Sequence, residues 1–118
     1  MASRPRPSVS VSAGLSVRPG ATPPSPYART VLDVAARIPA GRVLTYGDVA
    51  ELTESGSART VGSVMSRYGH EAPWWRVVQA SGRPAEPHLQ EALRALVAEG
   101  CPVVGERVDM GRARWDGR

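Results

Sequence analysis

Covalent chemistry in this 118-residue sequence would have to come from one thiol, Cys101, and two imidazoles, His70 and His88. A thiol becomes a nucleophile where a nearby base or cation favours the thiolate. Cys101 lies instead between Gly100 and Pro102, ahead of Val103-Val104, and neither histidine stands at a spacing tied to it. The usual role for such a cysteine is that of a small buried hydrophobe. Two histidines and one cysteine scattered in this way make no metal site, so neither metal nor cofactor is expected. His70 and His88 read as a surface-loop and a helix-start residue. The other conspicuous run is Pro73-Trp74-Trp75-Arg76-Val77-Val78, aromatic and β-branched. Indole has no ionisable nucleophile, so that run can stack and pack but not attack.

Composition narrows the partners. All fifteen basic residues are arginine, set against eleven acids, and the formal charge is +4. Three of those arginines, Arg4, Arg6 and Arg18, lie in residues 1–26 with six prolines, six serines and no acid. A segment of that kind buries too little apolar surface to offset its ordering entropy, so a disordered arm is expected there. Residues 27–118 then carry twelve arginines and eleven acids, a net charge of only +1. An anionic partner therefore has to be argued from where individual arginines lie. The single cysteine excludes an intramolecular disulfide and suits a reducing, cytoplasmic compartment. No apolar run approaches the roughly 18 residues of a membrane span.

Hydrophobic spacing supplies the elements that must position these groups. Val31, Val34, Ala35 and Ile38 repeat at i, i+3, i+4, i+7 and predict an amphipathic helix over 27–37, stopped by Pro39-Ala40-Gly41. Arg42-Val43-Leu44 reads as a short extended piece. Thr45 with Asp48 is a capping-box-like start for a helix over 46–52. After Gly56, Ser57 caps a third helix over 58–68 with Val61, Val64, Met65 and Tyr68 as its core stripe. Two short helices around a tight glycine-containing turn form a helix-turn-helix. The outer face of the third helix then holds Arg59, Gly62, Ser63 and Ser66, one long cation among small residues. Such a face can approach a nucleic-acid backbone closely, although an ordinary solvated Arg59 fits the same wheel. Residues 73–78 read as extended, Ser81-Gly82 as a turn, 89–97 as a fourth helix stopped by Gly100, and 103–115 as a small hairpin or a wrapped tail.

Four blocks in order carry a resemblance: Ile38-Pro39-Ala40-Gly41-Arg42-Val43-Leu44-Thr45-Tyr46-Gly47-Asp48-Val49-Ala50, then Ala58-Arg59-Thr60-Val61-Gly62, then Pro73-Trp74-Trp75-Arg76-Val77-Val78, then Glu99-Gly100. Together they resemble the DNA-binding and active-site domain of O6-alkylguanine-DNA alkyltransferases, over about residues 27–104. The enzymes of that family carry Pro-Cys-His-Arg, and here Trp74 and Trp75 replace the cysteine and histidine. Tryptophan at the cysteine position is similar to the alkyltransferase-like proteins, which bind alkylated guanine without repairing it and hand it to nucleotide excision repair. The resemblance implies a mainly α, winged helix-turn-helix fold with a small β element, filling 27–118. It also implies a non-enzymatic monomer acting on double-stranded DNA and associated with the nucleoid when bound.

Residue by residue, the resemblance gives Tyr46 the rotation of the target nucleotide and makes Arg59 the finger that fills the vacated stack from the minor groove. Thr45, Ser57, Gly62 and Ser63 are expected beside them at the DNA. Trp74, with Arg76 and Val77, is expected to line the lesion pocket. Glu99 matches the glutamate that supports the enzymes' histidine; with Trp75 in that place, Glu99 is expected to be structural. In an extended strand adjacent tryptophans face opposite ways, so Trp75 is expected in the core. The chain departs from the family in two further places. It has no asparagine for the family's hinge, and Arg83-Pro84-Ala85-Glu86-Pro87-His88 replaces a Gly-rich loop that lines the enzyme pocket. Arg83 reads as a solvated turn residue. The competing readings are a transcription regulator that reads the major groove and a transferase that uses Cys101.

Overall fold

The computed structural model describes residues 23–118. The arm expected over 1–26 thus lies, up to residue 22, outside the described residues. Helix α1 spans Pro26–Arg37. Ser25 Oγ accepts from the Ala28 amide at 3.1 Å, and Pro26 takes the first helical position, where a missing N–H is harmless. Ser25 and Pro26 therefore belong to the helix start rather than to the arm.

Strand β1, Leu44–Thr45, runs straight into α2, Tyr46–Thr53. The junction is the expected capping box: Thr45 Oγ1 accepts from the Asp48 amide at 3.0 Å, and Asp48 Oδ2 accepts from the Thr45 amide at 3.1 Å. Helix α3, Ala58–Tyr68, starts with a second box, in which Ser57 caps Thr60 and Thr60 Oγ1 accepts from the Ser57 amide at 2.8 Å. Between the helices Gly56 has φ +77°, and a Cβ there would sit 2.2 Å from Tyr27 Oη. The Tyr27 hydroxyl in turn lies 2.9 Å from Thr60 Oγ1. Close approach of α1 to the interhelical turn thus requires glycine and fixes the angle of the helix-turn-helix.

The expected extended run over 73–78 is corrected. Trp74–Arg76 form a 3₁₀ turn closed by the Arg76 amide donating to Pro73 O at 3.0 Å, and only Val77–Val78 are strand, β2. Pro73 has no N–H for a ladder, and the Arg76 side chain is engaged behind the turn, as described below. β2 pairs in parallel with β1 in the register Leu44↔Val77, Thr45↔Val78. Alternation across this small sheet separates two cores. Leu44 and Val77 join Val31, Ile38, Val49 and Val61 of the helical cluster, whereas Val43 and Val78 join Leu96, Cys101 and Val108.

Helix α4 spans Leu89–Ala98. Strands β3, Val103–Val104, and β4, Arg107–Val108, form an antiparallel hairpin, and α5, Met110–Ala113, follows. The chain then returns to β1: the Val43 amide donates to Ala113 O at 3.0 Å and the Trp115 amide to Val43 O at 2.9 Å. The last segment is thus a hairpin and then a wrapped tail. The described residues are mainly helical, with two two-stranded sheets among them. Among the described residues no helix is long and apolar enough to cross a membrane.

Candidate nucleic-acid interface

A cleft of about 960 Å³ opens between the helix-turn-helix and the start of α4. Its helical wall carries Thr45, Tyr46, Arg59 and Gly62; its floor is the 3₁₀ turn with Trp74 and Trp75; its far wall is the 84–88 loop with Glu91 of α4. Each wall owes its place to local sequence. The two capping boxes orient the starts of α2 and α3, which set Tyr46 and Arg59 on one side. On the other side Pro84 is fully buried, which anchors the loop and leaves Glu86, Pro87 and His88 at the cleft.

Trp74 and Trp75 meet edge to face, their ring centroids 5.7 Å apart and their planes at 84°. Trp74 leans on the helical core and Trp75 on the second core, and both rings remain half-buried and line the cleft. The expectation of Trp75 in the core alone is therefore corrected. Strand alternation does not apply inside a 3₁₀ turn. Beyond Trp74 the His88 ring follows at 5.9 Å, and His88 Nδ1 is 3.6 Å from Glu91 Oε1.

Behind the turn a single carboxylate joins three chain segments: its own after α4, the tryptophan turn and the 38–41 stretch after α1. Glu99 Oε2 accepts from Trp75 Nε1 at 2.8 Å and from Arg76 Nη2 at 2.6 Å, while Oε1 accepts from Arg76 Nε at 3.0 Å and from the Gly41 amide at 3.2 Å. Arg76 Nη1 donates onward to Ile38 O at 2.8 Å. The Arg76 and Glu99 side chains are only 16% and 15% exposed. Burial opposes the Glu99 charge, but the bonds from Arg76, Trp75 and the Gly41 amide outweigh it and hold the carboxyl below the usual carboxylate range. The Arg76 guanidinium also lies over the Trp75 ring, 5.7 Å from its centroid.

The structure brings Thr45, Tyr46, Arg59, Gly62, Trp74 and Val77 to this one cleft. Three other expected site residues lie elsewhere. Ser57 is occupied as the α3 cap, Ser63 is exposed away from the lining, and Arg76 is held by Glu99 and Ile38 behind the tryptophans. Arg83 is no solvated turn residue, since it reaches Glu86 at 3.1 Å and Glu106 at 3.3 Å. Trp75, His70, Glu86, His88 and Glu91 line the cleft without having been singled out for it. For Glu86 and His88 the Glu-Pro-His run just ahead of α4 was the available signal.

Protonation follows from these surroundings. Burial raises the Tyr46 phenol above its ordinary value, so its hydroxyl stays a hydrogen-bond donor at neutral pH. Burial, followed by the nearby Glu99 charge, pushes the Cys101 thiol up, with Arg42 opposing. Cys101 is 5% exposed in the second core and does not line the cleft. Burial works against the Asp48 charge, yet Arg114 and the Thr45 amide keep the carboxyl below its usual range. Among the described residues no group of His, Cys, Asp and Glu side chains could hold a metal ion.

The arrangement can be set beside known proteins. Residues 26–101 match the 6-O-methylguanine DNA methyltransferase DNA-binding domain. A DNA base-flipping protein of Escherichia coli is 43% identical over 96 residues, covering 76% of this chain and 74% of that protein. A DNA base-flipping protein of Vibrio parahaemolyticus is 36% identical over 92 residues, covering 72% and 91%. S. pombe ATL in complex with DNA superposes with a TM-score of 0.68 at 27% identity, over 76% of this chain and 94% of that one. S. pombe Atl1 in complex with damaged DNA containing O6-carboxymethylguanine gives the same TM-score of 0.68 and the same coverage, 76% and 94%, at 24% identity, and so speaks for the fold alone. With its helix-turn-helix, its tryptophan turn and its Glu99 junction in the matched span, the chain belongs to the family of the 6-O-methylguanine DNA methyltransferase DNA-binding domain.

Proposed function

We propose that the chain is a non-enzymatic sensor of alkylated DNA that flips O6-alkylguanine into the cleft and holds it against Trp74. One observation carries the reading: Trp74, Tyr46 and Arg59 converge on a single cleft, and the residue on its floor is an indole without a nucleophile. In this reading α3 approaches the minor groove with its small-residue face, Arg59 fills the vacated stack, and Tyr46 crowds the phosphate so that the nucleotide rotates outwards. Flipping costs a few kcal/mol, less for a damaged pair, and stacking on an aromatic face returns about 1–3 kcal/mol. The planar Arg59 guanidinium replaces part of the lost stacking in the duplex.

Residues 27–118 act as one DNA-binding unit, and residues 1–26, with three arginines, add salt-sensitive attraction to phosphates. A sensor that binds without chemistry has to pass the lesion on, and presentation to nucleotide excision repair proteins fits that need. The names of the base-flipping relatives and the S. pombe ATL complex with DNA support the reading. Affinity for a duplex containing one O6-methylguanine is compared with its undamaged twin. The reading expects about tenfold tighter binding to the damaged duplex, and equal affinity overturns it. Transfer of a labelled alkyl group from DNA to the protein overturns the non-enzymatic part.

A further inference from the structure

The charge around the cleft is lopsided. Of fifteen arginines in the chain, only Arg59 is among the described residues that line it, and it stands on the α3 wall. Across the cleft the lining carboxylates are Glu86 and Glu91, with His88 between them and His70 on the near side. Glu86 shares Arg83 with Glu106, whereas Glu91 has the His88 ring at 3.6 Å. Between the walls stand the two perpendicular indoles, 5.7 Å apart. Two aromatic surfaces at right angles, with a carboxylate on the facing wall, attract a cation through the ring quadrupoles and through direct charge. Arg76 lies over Trp75 from behind, but its own charge is matched by Glu99 at 2.6 Å and does not cancel this attraction.

The geometry points to a cleft that reads the charge of the alkyl group and favours O6-alkylguanines whose substituent ends in a cation, such as an aminoalkyl group. The inference rests on the lesion-binding role proposed above and adds the class of adduct. Trp75 and Glu91 are the specificity-determining residues. Trp75 supplies the second aromatic face and is fixed by its bond to Glu99, and Glu91 extends from α4 beside the His88 ring that adjoins Trp74. Glu86 of the 84–88 loop is already paired with Arg83 at 3.1 Å and adds little.

The test uses the full chain and one duplex carrying in turn guanine, O6-(2-aminoethyl)guanine, O6-(2-hydroxyethyl)guanine and O6-carboxymethylguanine. These substituents are similar in size and differ in charge. Affinity is expected to fall in the order aminoethyl, hydroxyethyl, carboxymethyl, by roughly threefold to tenfold per step. The ratio of aminoethyl to hydroxyethyl affinity should shrink in Glu91→Gln and in Trp75→Phe. It should hold in Asp33→Asn, an exposed α1 position outside the cleft that changes net charge equally. Carboxymethyl binding equal to or tighter than aminoethyl, with hydroxyethyl still preferred to guanine, overturns this inference and leaves the lesion sensor standing. Loss of preference for every adduct over guanine overturns both. An unchanged ratio in both cleft variants removes Glu91 and Trp75 from the assignment.

Discussion

Trp75 Nε1 donates to Glu99 Oε2 at 2.8 Å, and the next residue, Arg76, holds the same oxygen at 2.6 Å. One carboxylate thereby grips two consecutive residues of the turn that presents Trp74. Where the resembling enzymes have histidine at this position, an indole N–H serves here as the donor to the glutamate. Glu99 is structural, as expected, but it keeps a partner at the position of the lost histidine.

Glu99→Ala leaves the largely buried Arg76 charge without its partner and should cost about 3–5 kcal/mol of folding stability. Glu99→Gln can still accept one bond from Trp75 or Gly41 and should cost less. Urea unfolding of the two variants checks both the size and the order. Equal stability of wild type and Glu99→Ala would remove the junction from the account of the fold.

Glu99 and Asp48 both have carboxyls held below the ordinary range in the folded protein. A depressed folded value contributes stability that is fully present above the unfolded value, near pH 4, and is lost as pH falls through the folded value. Stability owed to these two groups should therefore be flat from pH 7 to about 5 and decline below about 4. Glu99→Gln should flatten that acid limb, read as denaturation midpoints across pH.

On the DNA side, Arg59→Ala is expected to weaken binding to damaged and undamaged duplexes alike. Trp74→Ala should instead lower the ratio between them, by about tenfold if one stacked base is lost. Unchanged thermal unfolding of Arg59→Ala, an exposed position, would separate its binding effect from folding. No change in either binding measurement would refute the assigned roles.

The two glycines of the helix-turn-helix should respond oppositely. Gly56→Ala places a methyl at φ +77°, 2.2 Å from Tyr27 Oη and 2.5 Å from Thr60 Oγ1, and should destabilise by about 1–3 kcal/mol. Gly62→Ala meets nothing within 4 Å on α3 and should add about 0.5–1 kcal/mol. Its new methyl nonetheless stands in the cleft lining, so DNA affinity should fall while stability rises.

The helices were legible because their signals are local. The i, i+3, i+4, i+7 stripe of α1 and the Thr45–Asp48 box are written within a few residues, and both elements form where the pattern put them. The tryptophan turn was not legible. Whether Trp74-Trp75-Arg76 runs straight or curls depends on Glu99, 23 residues beyond Arg76, which draws the guanidinium back. Arg76 was assigned to the pocket by its neighbours in sequence, yet its partners Glu99 and Ile38 lie on other elements. The far wall escaped for a related reason, since the 84–88 loop replaces the family's Gly-rich pattern and no periodicity marks a loop side chain as inward. Six of the nine expected interface residues reach the cleft, and those were named by block and spacing, which survive changes in loops.

The two rungs of β1 against β2 act as a gauge. Thr45 is the last residue before Tyr46, and Val77 follows the Trp74–Arg76 turn, so the pairing Leu44↔Val77 and Thr45↔Val78 links the helical wall to the floor through few intervening bonds. The span from Tyr46 to Trp74 is set by this register together with the grip of Glu99 on the turn. A slip of one residue would change it by about 3.3 Å, roughly the thickness of a base. A ladder this short therefore holds the starts of α2 and of the tryptophan turn at one fixed separation across the cleft.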